Sequence, residues 1–230
     1  VADTISASGS FVSATGTSLV TLSVNPTAVG DAFMFTTSYI ASATLSSVSG
    51  GGCTTWTKLV GAFTAYSGSA KLDLWMGVVT ATGSSTITIS GTGLTNTQRL
   101  CAQQFTSGGG SGTTWAQDGS GGTKTNASSA TITFPTMTPG GSNRLFMGYG
   151  LVANSASAGS QTAGYTLDLD PGSNPFMFNP SVSTAQTPTC TQTAGLSGTI
   201  AALVTATNPV TFRPQILMPY RAAVQRAATF

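Results

Sequence analysis

Leu72-Asp73-Leu74-Trp75-Met76-Gly77-Val78-Val79 is the stretch that decides the fold. Successive side chains of a β-strand point to opposite faces, so Leu72, Leu74, Met76 and Val78 share one face and Asp73, Trp75, Gly77 and Val79 the other. Large apolar groups stand on both faces, which predicts a central strand covered on its two sides. The same period of two recurs outward from this segment. In residues 19–24, Val20, Leu22 and Val24 alternate with Thr21 and Ser23. Residues 86–90 and 131–134 read as short half-buried strands, and 99–106, 144–152, 165–169 and 199–206 complete the clear set. Residues 33–35 and 59–63 are further strands. Val20, Leu22, Val24, Leu72, Leu74 and Met76 are the expected core positions.

Gly-rich turns punctuate these strands at 49–52, 81–85, 107–112, 118–122 and 139–142. Short strands separated by such turns predict an all-β fold, an antiparallel jelly-roll-like β-sandwich of roughly ten to fourteen strands. The Gly/Ser stretch 107–129 holds Trp115, which marks it as a long packed loop rather than a linker.

Composition narrows the chemistry. The chain has 230 residues, eight Lys or Arg, six Asp, no Glu and no His, and 6% of it is charged, against about 25% in an ordinary domain. Forty Thr and 29 Ser take the place of charge. A hydrophobic content of 40% separates it from disordered chains. The missing His removes the commonest general base, the commonest metal ligand and every His-based triad. No G-x-S-x-G elbow, S-x-x-K pair or phosphate loop is present. Asp168 and Asp170 share a strand face, as paired acids or Ca²⁺ ligands would, but they run into Pro171-Gly172 and read as a solvated turn. The expectation is a protein that is not an enzyme and needs no cofactor or metal. Cys53, Cys101 and Cys190 are expected to be buried thiols, with one disulfide plus a free thiol as the alternative. A net charge of +2 argues against nucleic acid as partner. No apolar run approaches the ~20 residues of a membrane helix, and with no basic-then-apolar stretch at its start no signal peptide is expected. Among the aromatics, Trp56 and Trp75 are expected in the core and Trp115 is the candidate glycan contact.

The final segment has a different character. Residues 212–219, Phe-Arg-Pro-Gln-Ile-Leu-Met-Pro, are apolar and held extended by two prolines. From Pro219 a short helix is predicted, with Tyr220, Ala223, Val224, Ala227 and Ala228 on one face and Arg221 and Gln225 opposite. The last acid is Asp170, so the final 60 residues carry +3 and the first 170 carry −1. These features divide the chain into a sandwich domain, 1–206, and an anchoring arm, 207–230. Arg213, Ile216, Leu217, Met218, Tyr220, Arg221, Val224 and Arg226 form the candidate docking set. Its apolar face docks either on the chain's own sandwich or on a neighbouring subunit.

Three motifs carry a family resemblance: Val29-Gly30-Asp31 before a strand, residues 48–56 with a Gly-rich turn leading into Trp56, and Leu72-Asp73-Leu74-Trp75-Met76-Gly77 followed by residues 81–89. Over positions 28–106 the chain resembles virion proteins of tailed actinobacterial phages, either head-decorating or minor capsid proteins or minor tail proteins with lectin-like β-sandwiches. The resemblance implies a non-enzymatic virion subunit, made in the host cytoplasm and homo-oligomeric on the particle. Its partners would be the major capsid or tail protein. The alternative it leaves open is a minor tail protein that binds host-surface glycan through an aromatic loop. No catalytic residues come with it.

Overall fold

The computed structural model describes residues 3–209. Eight strands form the first sheet: β1 (Ser6–Thr17), β2 (Thr21–Val24), β3 (Ala32–Ile40), β4 (Thr44–Gly50), β5 (Cys53–Thr64), β6 (Ala70–Val79), β7 (Ser85–Thr92) and β8 (Thr97–Thr106). Their order across the sheet is β1-β8-β3-β6-β5-β4-β7-β2, and all pairings are antiparallel. β5 bends through three register shifts against β6, because each bulge inserts an unpaired residue and kinks its strand. The sheet thereby turns back on itself into two leaves, β1-β8-β3-β6 and β2-β7-β4-β5. That strand order is a jelly roll.

Six further strands make a second sheet: β9 (Thr114–Gln117), β10 (Gly122–Thr133), β11 (Arg144–Val152), β12 (Thr166–Leu169), β13 (Pro175–Val182) and β14 (Thr189–Thr207). The order is β10-β14-β11-β13-β12, with β9 paired to the end of β14. Among the described residues the only helical turns are two short 3-10 turns, Tyr66–Gly68 and Gly110–Gly112. The expected C-terminal helix lies outside the described residues.

Alternation assigns each strand face to one of three cores. Inside the jelly roll, Phe33, Phe35, Trp75 and Leu100 from one leaf meet Leu22, Val48, Ile87 and Ile89 from the other. The outer face of the first leaf, with Met34, Leu72, Leu74, Met76 and Phe105, packs on Leu145, Met147, Tyr149, Phe176 and Ile200 of the second sheet. The far face of the second sheet gathers Ile132, Phe134, Phe146, Met177 and Leu203. The reading of residues 72–79 as a strand covered on both sides is therefore correct. The six expected core positions divide between two cores: Leu22 and Val24, with half-buried Val20 beside them, belong to the first, and Leu72, Leu74 and Met76 to the second.

Gly77 shows how closely the layers fit. A Cβ there would lie 2.7 Å from the Trp56 indole, which lies across that strand position. Leu74 has no exposed surface. Leu74→Ala should lower unfolding free energy by about 2–5 kcal/mol through lost transfer and a residual cavity. Urea denaturation followed by tryptophan fluorescence measures this.

Candidate functional site

The carboxylates are the first place to look for chemistry, and they are spent on structure. Asp73 is fully buried on β6, where it accepts hydrogen bonds from the Tyr39 hydroxyl and, at 2.7 Å, from the Ala62 amide. Lys58 Nζ stands 3.5 Å from the same carboxylate and 4.7 Å above the Trp75 ring. Ala62 has φ 54°, so Asp73 fixes the bulge that bends β5. Burial, followed by Asp73, raises the Tyr39 hydroxyl far above its ordinary pKa.

Asp170 fixes a second corner. It accepts hydrogen bonds from the Tyr149 hydroxyl at 2.8 Å, the Gly172 amide at 2.7 Å and the Asn174 amide at 2.9 Å. Arg99 Nε of β8 lies 3.8 Å away, tying the jelly roll to the second sheet. Asp31 accepts from Gln104 at 2.6 Å, and Asp118 from Arg144 Nε at 2.7 Å. Asp168 is half-buried, and burial raises its carboxyl above the usual range. The stability it contributes is thus present below the ordinary carboxylate pKa and is lost as pH rises through the raised value. Asp168 and Asp170 do not form an open acid pair, because Asp170 is enclosed by its own loop. Among the described residues no group of three or more His, Cys, Asp or Glu could hold a metal ion.

Trp115 requires a correction. It was expected on a long packed loop as a glycan contact, but it lies on β9, is 7% exposed and packs in the core between the sheets. Its Nε1 donates a 2.7 Å hydrogen bond to the Gly30 carbonyl. A ring held in this way has no free face for a sugar. Gly30 itself has φ 91°, and a Cβ there would overlap the Gly110 carbonyl, so the two halves meet where only glycine fits. The four-residue strand was hidden by the Gly and Ser around it.

Two surface features remain as the candidate site. The first is the point where the chain leaves the fold. The Asn208 side chain accepts hydrogen bonds from Ser107 Oγ at 2.6 Å and Thr113 Oγ1 at 3.0 Å, and its Nδ2 donates to the Ser107 carbonyl at 2.9 Å. The Asn208 amide donates to the Asp3 carboxylate, and the Asp3 amide to the Ala206 carbonyl. The segment beyond Pro209 starts from a fixed point. Arg213, Ile216, Leu217, Met218, Tyr220, Arg221, Val224 and Arg226 lie outside the described residues.

The second is the open side of the jelly roll. Among the described residues β1 pairs only with β8 and β2 only with β7, and their other edges face each other across a seam that a 3.2 Å hydrogen bond between the Ser8 and Thr27 hydroxyls bridges at one end. Two cavities lie along it. One of about 270 Å³ has Ser8, Val24, Thr27 and Gln104 in its wall, and one of about 570 Å³ has Phe11, Ala14 and Leu22. A smaller cavity of about 200 Å³, with Ser38, Asn96 and Arg99 in its wall, lies at the other end of β8.

No family model, curated protein or solved structure matches the chain.

The three cysteines are free and buried, as expected from their wide spacing. Burial pushes the Cys53 and Cys190 thiols up to about 12 and raises Cys101 well above its ordinary value. Reactive thiolate is therefore suppressed. Ellman's reagent at pH 8 should label no thiol in the native chain and all three in guanidinium. Asp170→Asn should destabilise the fold by about 1–3 kcal/mol, because an amide NH₂ would face the donors that now converge on a carboxylate. Chemical denaturation checks this second expectation.

Proposed function

We propose that this chain is a non-enzymatic structural subunit of a phage virion, a capsid decoration or minor capsid protein. It docks on the particle through its C-terminal arm, residues 207–230. The observation that carries the reading is the Asn208 node, where five hydrogen bonds involving residues 206–208 fix the root of an apolar, positively charged segment. An arm that must reach a neighbour needs such a root, or its pull would unravel β14. The internal use of five of the six aspartates supports a role without acid–base catalysis. So does the surface, poor in charge, which suits a protein packed among neighbours. The family resemblance over 28–106 coincides with most of the jelly roll.

Docking would be driven by burial of Ile216, Leu217, Met218, Tyr220 and Val224, each contributing about 1.5–3 kcal/mol if fully desolvated. Arg213, Arg221 and Arg226 would pair with an acidic partner surface at under about 1 kcal/mol each. The alternative, a tail protein reading host glycan through an aromatic loop, loses Trp115 as its contact. Localisation to the virion and homo-oligomerisation on it are part of the proposal.

A chain truncated after Asn208 should fold with an unchanged circular dichroism spectrum and fail to incorporate into particles. Normal incorporation of the truncated chain overturns the anchoring role. Aggregation or unfolding would assign the apolar stripe to the chain's own core.

A further inference from the structure

We propose that the cavity of about 200 Å³ at the start of β8 is a binding site for a small hydroxylated carboxylate, anchored by Arg99. The first ground is the backbone that opens it. β3 and β8 pair in register from Ala32 with Phe105 to Ser38 with Arg99. Past that point β3 continues to Ile40 beside Ala70 of β6, while Gln98 and Thr97 stay with Gly16 and Thr17 of β1. The two strands part here, and the cavity lies where they part, with Ser38, Tyr39, Asn96, Thr97 and Arg99 in its wall. A ladder that ends in this way leaves polar groups along one opening.

The second ground is Arg99 itself. Its Nε is buried without a hydrogen-bond partner among the described residues, and the Asp170 carboxylate, 3.8 Å away, is beyond hydrogen-bond reach. The Asp170 oxygens are already taken by Tyr149, Gly172 and Asn174. The 170–174 loop covers the Nε edge, since a Cβ on Gly172 would lie 2.5 Å from that atom, so a ligand meets the guanidinium from its Nη end. The side chain is 28% exposed, so the charge is partly desolvated at the cavity wall. A guanidinium carries five N–H donors in a planar fork that fits a carboxylate. Donors left unused at such a wall cost free energy that a ligand's acceptors restore.

The third ground is the rest of the wall. Ser38, Asn96 and Thr97 are neutral, and none of their side chains is hydrogen-bonded to a described residue. Their hydroxyls and amide offer both donors and acceptors, which suits a ligand that carries hydroxyls. Arg99 is the one charged residue among the described residues of the wall, and Asp170 behind it offsets part of its charge. A monoanion is therefore favoured over a phosphate dianion, which Asp170 would repel more strongly. The volume is below the roughly 300–1,000 Å³ of drug-sized sites, which limits the ligand to about one sugar-sized ring.

The site lies at the far end of β8 from Asn208 and does not rest on the virion reading, so the two can fail separately. The test is a titration of the purified full chain with D-glucuronate, followed by proton–nitrogen NMR. The Arg99 Nε–Hε resonance and the amides of residues 96–99 are the reporters, so the unsubstituted chain gives a result by itself. These signals should shift saturably, with half-saturation at about 1–10 mM for a ligand of this size. D-glucose, the same ring without the carboxylate, should bind about tenfold or more weakly. Arg99→Gln should weaken glucuronate by about the same factor while its circular dichroism spectrum stays that of a β-protein. Absence of a saturable shift at these reporters overturns the proposal. Glucose binding as tightly as glucuronate overturns the anchoring by Arg99, as does a folded Arg99→Gln chain that binds unchanged. Inorganic phosphate binding as tightly as glucuronate overturns the assignment to a carboxylate.

Discussion

The two-sided apolar character of β3, β6 and β8 is the constraint on which the rest depends. These three strands serve the jelly-roll core with one face and the inter-sheet core with the other. Neither half can be removed without exposing a large apolar surface, so the two sheets stabilise each other. Outward positions elsewhere carry hydroxyls instead of charges: Thr21, Ser23, Ser47, Ser49, Thr86 and Ser90 face solvent on β2, β4 and β7. Such a surface is wet enough to dissolve but carries little long-range field.

The same alternation determines how much of the fold is legible in the sequence. β6 is plain because each of its faces holds large groups at a period of two. β1 is not, because Ser6–Thr17 holds only Phe11 and Val12 as large apolar residues, and they are adjacent beside a bulge. β13 is masked by Pro175 and Pro180, which read as loop residues yet sit at the start and near the end of the strand. Alternation also says that a face is covered without saying by what. That is why Leu22 and Leu72, which read alike, lie in different cores, and why Trp115 read as a loop residue and a glycan contact. The bond from its indole to Gly30 spans 85 positions, and no local pattern encodes it.

The aspartates explain why a chain with so few charges keeps any inside. Asp73 and Asp170 each stand where the backbone must turn sharply, at the Ala62 bulge and at the 170–174 loop. A carboxylate can gather several N–H and O–H donors at one point, which neutral Ser or Thr cannot match. The acids act as fasteners of irregular backbone.

The placement of β14 bears on how the protein is made. It is the longest strand, flanked by β9 and β10 on one side and β11 on the other, yet it comes after all of its partners in the chain. β1 likewise waits for β8, some ninety positions later. Closure therefore depends on distant segments meeting, the topology associated with slow folding in the millisecond to second range or longer. On a ribosome, the second sheet has no centre until residues 189–207 have cleared the exit tunnel. Until then β9, β10 and β11 have unfilled edges, and the nascent chain is at its most vulnerable to wrong pairing just before β14 emerges.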